Sequence, residues 1–236
     1  MHNDDLIDDF PIHQFWGTRV DLKPELFDTA IIQKGMKVIW EQTMFCSCYS
    51  QRSGQPGYNC PACKGNGYVY FGRVLTKALI TGISGRKDQD RIGLNELGTA
   101  YLTTLTSDNV GFRDRFTFLD FTMKYSQVLT RGNVGENDDL AYEARSIISV
   151  RMLNTVYVPD VDYTLSEDHM QIIWINNPIP TGKNYSILYN TPPVYIATNP
   201  VHELRGTYSM WKHGGVEVFT PLPKQFQIKR VDFLDG

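Results

Sequence analysis

Short runs rich in β-branched and aromatic residues recur along this chain as strands do, and in some of them apolar and polar residues alternate with a period of two. The runs are MKVIWEQT (36–43), GYVYFG (67–72), RVLTKALITGI (73–83), GTAYLTTL (98–105), FTFLDFTMKY (116–125), SIISVRML (146–153), MQIIWI (170–175), NYSILYN (184–190), VYIAT (194–198) and FQIKRVDFL (226–234). All are rich in β-branched or aromatic residues. Turn residues separate them: Ser84-Gly85, Asn109, Gly132-Asn133, Asn177-Pro178, Thr181-Gly182 and Pro192-Pro193. Many short strands at this spacing predict a mainly β fold, an antiparallel β-barrel or sandwich. One stretch breaks the pattern. Pro24 can open a short N-terminal helix and Gly35 can close it, with Phe27 and Ile31 four apart on one face. Three segments follow: an arm and short helix (1–35), a β-hairpin around a cysteine cluster (36–72), and a β-barrel or sandwich domain (73–236).

The 236 residues suit one large β domain or two modest ones, and a hydrophobic content of 42% can fill a core. The formal net charge of −3 gives no overall electrostatic case for nucleic-acid binding. The first ten residues, MHNDDLIDDF, are acidic and lack an apolar segment, so no secretory signal is expected. No stretch approaches the roughly 20 apolar residues of a membrane-spanning helix. No internal repeat is evident.

All four cysteines lie between Cys46 and Cys63, in the order Cys46-Ser-Cys48, eleven residues, then Cys60-Pro-Ala-Cys63-Lys-Gly65-Asn-Gly67. Two close pairs joined by a loop suit a tetrahedral four-thiolate site, in which each tight turn supplies two sulfurs to one Zn²⁺. Gly65 and Gly67 would let the backbone bend closely past the metal. The second half resembles the CxxCxGxG zinc module of the DnaJ chaperone family, present here in a single copy. The first pair departs from that spacing, being Cys-x-Cys. Disulfides and free thiols are the rival readings. If Cys46, Cys48, Cys60 and Cys63 all bind zinc, no position is left open for catalysis. The ion would then be structural, holding the polar loop from Tyr49 to Asn59.

A search for an active site finds none. The histidines, His2, His13, His169, His202 and His213, are scattered, and His202-Glu203 lacks the second histidine of a zinc-protease motif. There is no GxSxG elbow, phosphate loop or GxGxxG. Asp138-Asp139 sits in a Gly/Asn-rich stretch and reads as a solvated turn. Arg86, Lys87 and Arg91 alternate with Asp88 and Asp90 and read as a charged loop. Trp174, Tyr185, Tyr189 and Tyr195 read as cross-strand core pairing, or else as a platform for sugars or bases. No enzymatic activity is expected.

Residues 147–205 contain a Tyr-x-x-x-x-Asp-Tyr turn (Tyr157 to Tyr163) and an Ile-x-Trp strand ending at Trp174. A Pro-x-Gly turn follows, then Tyr-Ser-Ile-x-Tyr (185–189) and a Pro-Pro-x-Tyr edge ending at Tyr195. This succession resembles segments of tailed-bacteriophage virion proteins of the neck and tail. The closing LPKQFQIKRVDFL and the cysteine loop placed before the barrel are similar to neck proteins of the head-closure or head–tail connector type. The resemblance spans roughly 36–236. It implies a virion protein assembled in the host bacterial cytoplasm, forming a ring with other copies of itself. Portal or connector and tail proteins would be its neighbours, and DNA would pass through the channel without sequence-specific binding. The arm, with Phe10, Phe15 and Trp16, and the run from Phe226 to Leu234 are the candidate contact elements, the latter by adding a strand to a neighbour's sheet. The rival classes are a tail or baseplate component and an intracellular zinc-ribbon protein binding nucleic acid or partner proteins. The zinc ribbon predicts a basic face near the cysteine loop, where Arg52, Lys64 and Arg73 lie.

Overall fold

Helix α1 (Pro24–Lys34) leads into β1 (Met36–Phe45), and the chain continues through β2 (Tyr68–Gly82), β3 (Thr99–Thr104) and β4 (Arg115–Phe118). Next come β5 (Met123–Thr130), β6 (Asp138–Asp139), β7 (Ser146–Met152), β8 (Thr155–Tyr157), β9 (Tyr163–Leu165), β10 (Gln171–Trp174) and β11 (Asn184–Thr191). The last strands are β12 (Val194–His202), β13 (Gly206–Met210), β14 (Glu217–Pro221) and β15 (Gln225–Arg230). This is a computed structural model, and it describes residues 24–82, 98–176, 178–202, 204–210 and 217–234. The fold is mainly β, with antiparallel pairing throughout the named strands, as the alternation predicts. The arm (1–20), Ser84-Gly85 and the Arg86/Lys87/Arg91 loop lie outside the described residues.

Six strands pair in a closed circuit, β1-β2-β3-β15-β12-β4. Their inward residues are the apolar members of the period-two pattern: Val38 and Trp40, Ala100 and Leu102, Phe116 and Phe118, Phe226 and Ile228. Side chains alone fill a circuit this small, so the interior is a core and not a channel. Helix α1 closes against β2. Gly35 donates to the Ile31 carbonyl (2.7 Å), and Ile31 is fully buried beneath the helix. A Cβ at Gly35 would lie 2.3 Å from that carbonyl oxygen, so only glycine fits where the helix ends.

The chain leaves the barrel after β4 and returns at β12, and these two strands pair with each other. Everything between them is an insertion with its own core. A four-stranded sheet (β5-β11-β7-β8) and a three-stranded sheet (β6-β10-β9) enclose Val150, Ile172, Trp174, Tyr185, Ile187 and Tyr189. The barrel and the sandwich expected as alternatives are thus both present, one inserted in the other. Two expected boundaries change accordingly. The division at 72/73 falls inside β2, because GYVYFG and RVLTKALITG form one strand with a bulge at Gly72 (φ 66°). The segment 73–236 holds most of the barrel and the whole insertion. FTFLDFTMKY is split by a turn, with β4 in the barrel and β5 in the insertion.

The expectation that Phe226–Leu234 adds a strand to a neighbour is overturned. β15 is hydrogen-bonded on both edges, to β3 and to β12, and Phe226 and Ile228 point into the barrel core. β15 therefore has no edge free to accept another chain.

The insertion's tyrosines link its stability to alkaline pH. Burial holds the Tyr185 and Tyr189 phenols well above their ordinary value of 10, and at Tyr185 the hydrogen bond to Asp138 adds to this. In the folded protein these rings keep their protons, whereas in the unfolded chain they ionise near pH 10. The unfolded state therefore binds fewer protons above that pH. The rings leave stability unchanged below pH 10 and reduce it progressively above. Urea unfolding from pH 8 to 11 is expected to show this decline. Tyr189→Phe should make it shallower, by about 0.7 kcal/mol per pH unit at pH 10 and approaching about 1.4 above it.

Candidate metal centre

The hairpin of β1 and β2 carries the cysteine loop at its tip. The last rung pairs Phe45 with Tyr68, and the Cys46 N–H then donates to the Gly67 carbonyl (2.8 Å). β4 covers β1 only from Val38 to Glu41, so the tip extends past the end of that pairing. The buried carboxylate of Asp114 fixes its base. It accepts from the Trp40 indole (2.8 Å) and from the backbone N–H groups of Thr43 (2.9 Å) and Gly111 (2.8 Å). Thr43 also donates through its hydroxyl to the Arg113 carbonyl (2.6 Å).

Inside the loop two tight turns present the sulfurs. The Tyr49 N–H returns to the Cys46 carbonyl, and the N–H groups of Lys64 and Asn66 return to the carbonyls of Cys60 and Cys63. The four Sγ atoms lie within 4.8 Å of one another, with Cys46–Cys60 at 3.6 Å and Cys48–Cys63 at 3.4 Å. A tetrahedral ion with metal–sulfur bonds of about 2.3 Å holds its sulfurs roughly 3.8 Å apart, so the set fits such an ion. No two of these cysteines are joined in a disulfide, which needs an S–S distance near 2.05 Å.

The loop's backbone amides favour thiolates. Hydrogen bonds from the Cys63 and Ala62 N–H groups bring Cys60 down to about 6. At Cys63 burial raises the thiol, but the amides of Gly67 and Gly65 and the Cys48 sulfur outweigh it and the net direction is down. At Cys48 the Gly57 N–H lowers the thiol. Burial and the three other sulfurs outweigh that and push it to about 12. Four sulfurs this close cannot all ionise without a cation among them. A bound metal ion would supply that charge and take the remaining protons' place.

Gly65 and Gly67 bring their backbone amides to the Cys63 sulfur, and their lack of a Cβ also relieves contacts within the loop. Gly65 (φ 88°) and Gly67 (φ 79°) adopt left-handed backbone. A Cβ at Gly65 would meet the Tyr58 carbonyl oxygen at 3.1 Å, and one at Gly67 would meet Pro56 and Tyr49 at 3.2 Å. A third glycine beside the sulfurs is Gly57, whose added Cβ would lie 3.4 Å from the Cys48 Cβ. The second cysteine motif did not reveal it, because Gly57 lies in the loop between the pairs.

Asp138 is neither a solvated turn residue nor open to a substrate. It is buried, and both its oxygens are filled: Oδ1 by the Gly132 N–H (2.9 Å) and Arg131 (3.4 Å), Oδ2 by the Trp174 indole (2.7 Å) and the Tyr185 hydroxyl (2.8 Å). Asp139 is exposed and meets Lys64 of the metal loop at 3.5 Å. Trp174, Tyr185 and Tyr189 are core residues, with Tyr185 edge-on to Trp174 at 5.2 Å. Tyr195 belongs to the other unit and packs on Phe118 at 5.4 Å. None of the four forms a platform. His169 and His202 are exposed and apart, and the other three histidines lie outside the described residues.

A cleft of about 590 Å³ opens between the metal loop, the barrel wall and the insertion. Its cations are Lys64, Arg73, Arg113 and Arg115. Arg115 is held bidentately by Glu41 (2.7 and 2.9 Å) and stacks on Tyr70 (4.1 Å), while Arg113 stacks on Tyr68 (4.3 Å). Of the cations expected near the loop, Lys64 and Arg73 line this cleft and Arg52 does not, while Arg113 and Arg115 come from a segment 40 or more residues away in sequence.

Among the described residues no helix is long and apolar enough to cross a membrane. No protein-family model matches the chain, and no curated protein sequence matches it.

Proposed function

We propose that this protein is a non-enzymatic structural subunit of a tailed-bacteriophage virion, part of the neck ring joining head and tail around the DNA channel, with one structural zinc ion held by Cys46, Cys48, Cys60 and Cys63. The observation that carries the structural reading is the metal centre. The four sulfurs lie within 4.8 Å of one another, and an ion bound by all four in a tetrahedral shell would have no position left for water or substrate. Thiolate sulfur with tetrahedral spacing favours zinc over oxygen-seeking ions. The centre stabilises a loop that neither hydrophobic core reaches, since no cysteine belongs to either cluster. Tyr58, in the middle of that loop, is 89% exposed. The neck assignment rests on the resemblance of residues 36–236 to head-closure and connector proteins. A closed barrel with a second β unit inserted between two of its strands offers distinct surfaces, as head-to-tail contacts around a ring require.

Two measurements test this. Elemental analysis of the purified chain is expected to give about one zinc per chain, and protein without metal but with two disulfides would overturn the assignment. Immunogold labelling of virions is expected at the head–tail junction. Label at the tail tip, or none on the particle, would replace the neck with another role.

A further inference from the structure

The cleft between metal loop, barrel and insertion has the chemistry of a receptor for an acidic, aromatic-bearing segment. Arg73 and Arg113 have no carboxylate partner among the described residues, whereas Arg115 is neutralised by Glu41 and Lys64 lies near Asp139. Glu143 is the one other acidic residue of the lining. Beside these cations the wall is apolar, formed by Leu140, Tyr142, Met170, Val194 and Ile196. Unpaired guanidinium groups next to an apolar wall bind ligands that carry both carboxylates and aromatic rings. Junctions between folded units are where such sites form.

The chain itself contains a segment of that composition. Residues 1–18 hold Asp4, Asp5, Asp8 and Asp9 with Phe10, Phe15 and Trp16, and no lysine or arginine. The remainder of the chain carries 23 basic and 22 acidic residues, so the segment accounts for the net negative charge of the whole. We infer that the cleft binds residues 1–18 of a second copy, with the aspartates on Arg73 and Arg113 and an aromatic anchor against Leu140, Tyr142 and Ile196. This rests on the ring reading, and supplies the head-to-tail contact such a ring needs: one copy gives the arm, the next gives the cleft. Electrostatic attraction across this contact would weaken with salt.

The full chain carrying a photoreactive benzoylphenylalanine in place of Trp16 tests the contact. In a mixture of isotopically light and heavy protein at high concentration, irradiation is expected to join the arm of one copy to residues 64–73, 113–117 or 140–143 of another. Arg73→Glu with Arg113→Glu should cut that yield by about tenfold while zinc content and circular dichroism stay unchanged. Cross-links confined to one chain, cross-links elsewhere, or none would overturn the proposal. Binding of a short single-stranded oligonucleotide that Arg73→Glu with Arg113→Glu abolishes, in protein that gives no cross-link, would make the cleft a nucleic-acid site instead. If cross-linking fails while label still marks the neck, the contact alone is wrong. If cross-linking succeeds in a protein found at the tail tip, the neck reading alone is wrong.

Discussion

Asp138→Ala is expected to destabilise the insertion by about 3–5 kcal/mol. The substitution leaves the Arg131 guanidinium buried without its carboxylate, its side chain being 1% exposed. It also orphans the Trp174 indole, the Tyr185 hydroxyl and the Gly132 N–H at once. Each buried donor without a partner costs about 1–3 kcal/mol, partly recovered where water can enter. Arg131→Met should cost less, because Asp138 would keep its three other donors. Urea unfolding followed at the tryptophans, with hydrogen exchange to locate the change, checks both. The barrel's amides should stay protected, since Val38, Phe116 and Phe226 belong to a separate cluster. Uniform loss of protection across both units would show that they unfold as one, and equal costs for the two substitutions would show that the pair is not the centre of the network.

That network also marks where sequence reading ended. Period-two alternation gave β1, β3, β7, β10 and β11 nearly to the residue, because each has one face against a core. The cysteine centre was legible because its ligands lie within one hairpin and their spacing is local. Asp138 was not. Its burial is decided by Trp174 and Tyr185, 36 and 47 residues further on, and nothing near Asp138 signals them. The insertion was hidden for a related reason. Alternation tells which residues face inward but not which core receives them, and β4 and β12 pair across the whole inserted unit. The strands β6, β8 and β9, two or three residues long, are too short to show a period. The cleft needed the barrel to close before Arg113 and Tyr68 could meet.

Cys60→Ser is expected to open the loop from 46 to 67 while leaving barrel and insertion folded. Serine keeps the size of cysteine but replaces a soft thiolate by a hydroxyl that does not ionise at neutral pH. One corner of the tetrahedron is then lost, and metal affinity falls steeply. In zinc-finger peptides metal binding contributes roughly 10–16 kcal/mol and is inseparable from folding. Here only the loop depends on it. Its backbone hydrogen bonds are a few turn contacts, and Gly65 and Gly67 hold left-handed conformations that a bound metal would keep in place. At the base, by contrast, Asp114 ties Trp40, Thr43 and Gly111 together without any sulfur. The damage should therefore stop near Phe45 and Tyr68. Limited proteolysis is expected to cut the variant, or the wild type stripped by a chelator, within 46–67. The fragments should remain associated, because β1 and β2 pair along their length from Met36 to Phe45. Restoring zinc should protect the wild type and not the variant. A variant that resists protease as the wild type does would show that the loop holds itself, and the centre would lose its structural role. Collapse of the whole circular-dichroism spectrum would show instead that the metal is needed for the barrel, against the separation of cysteines and core seen here.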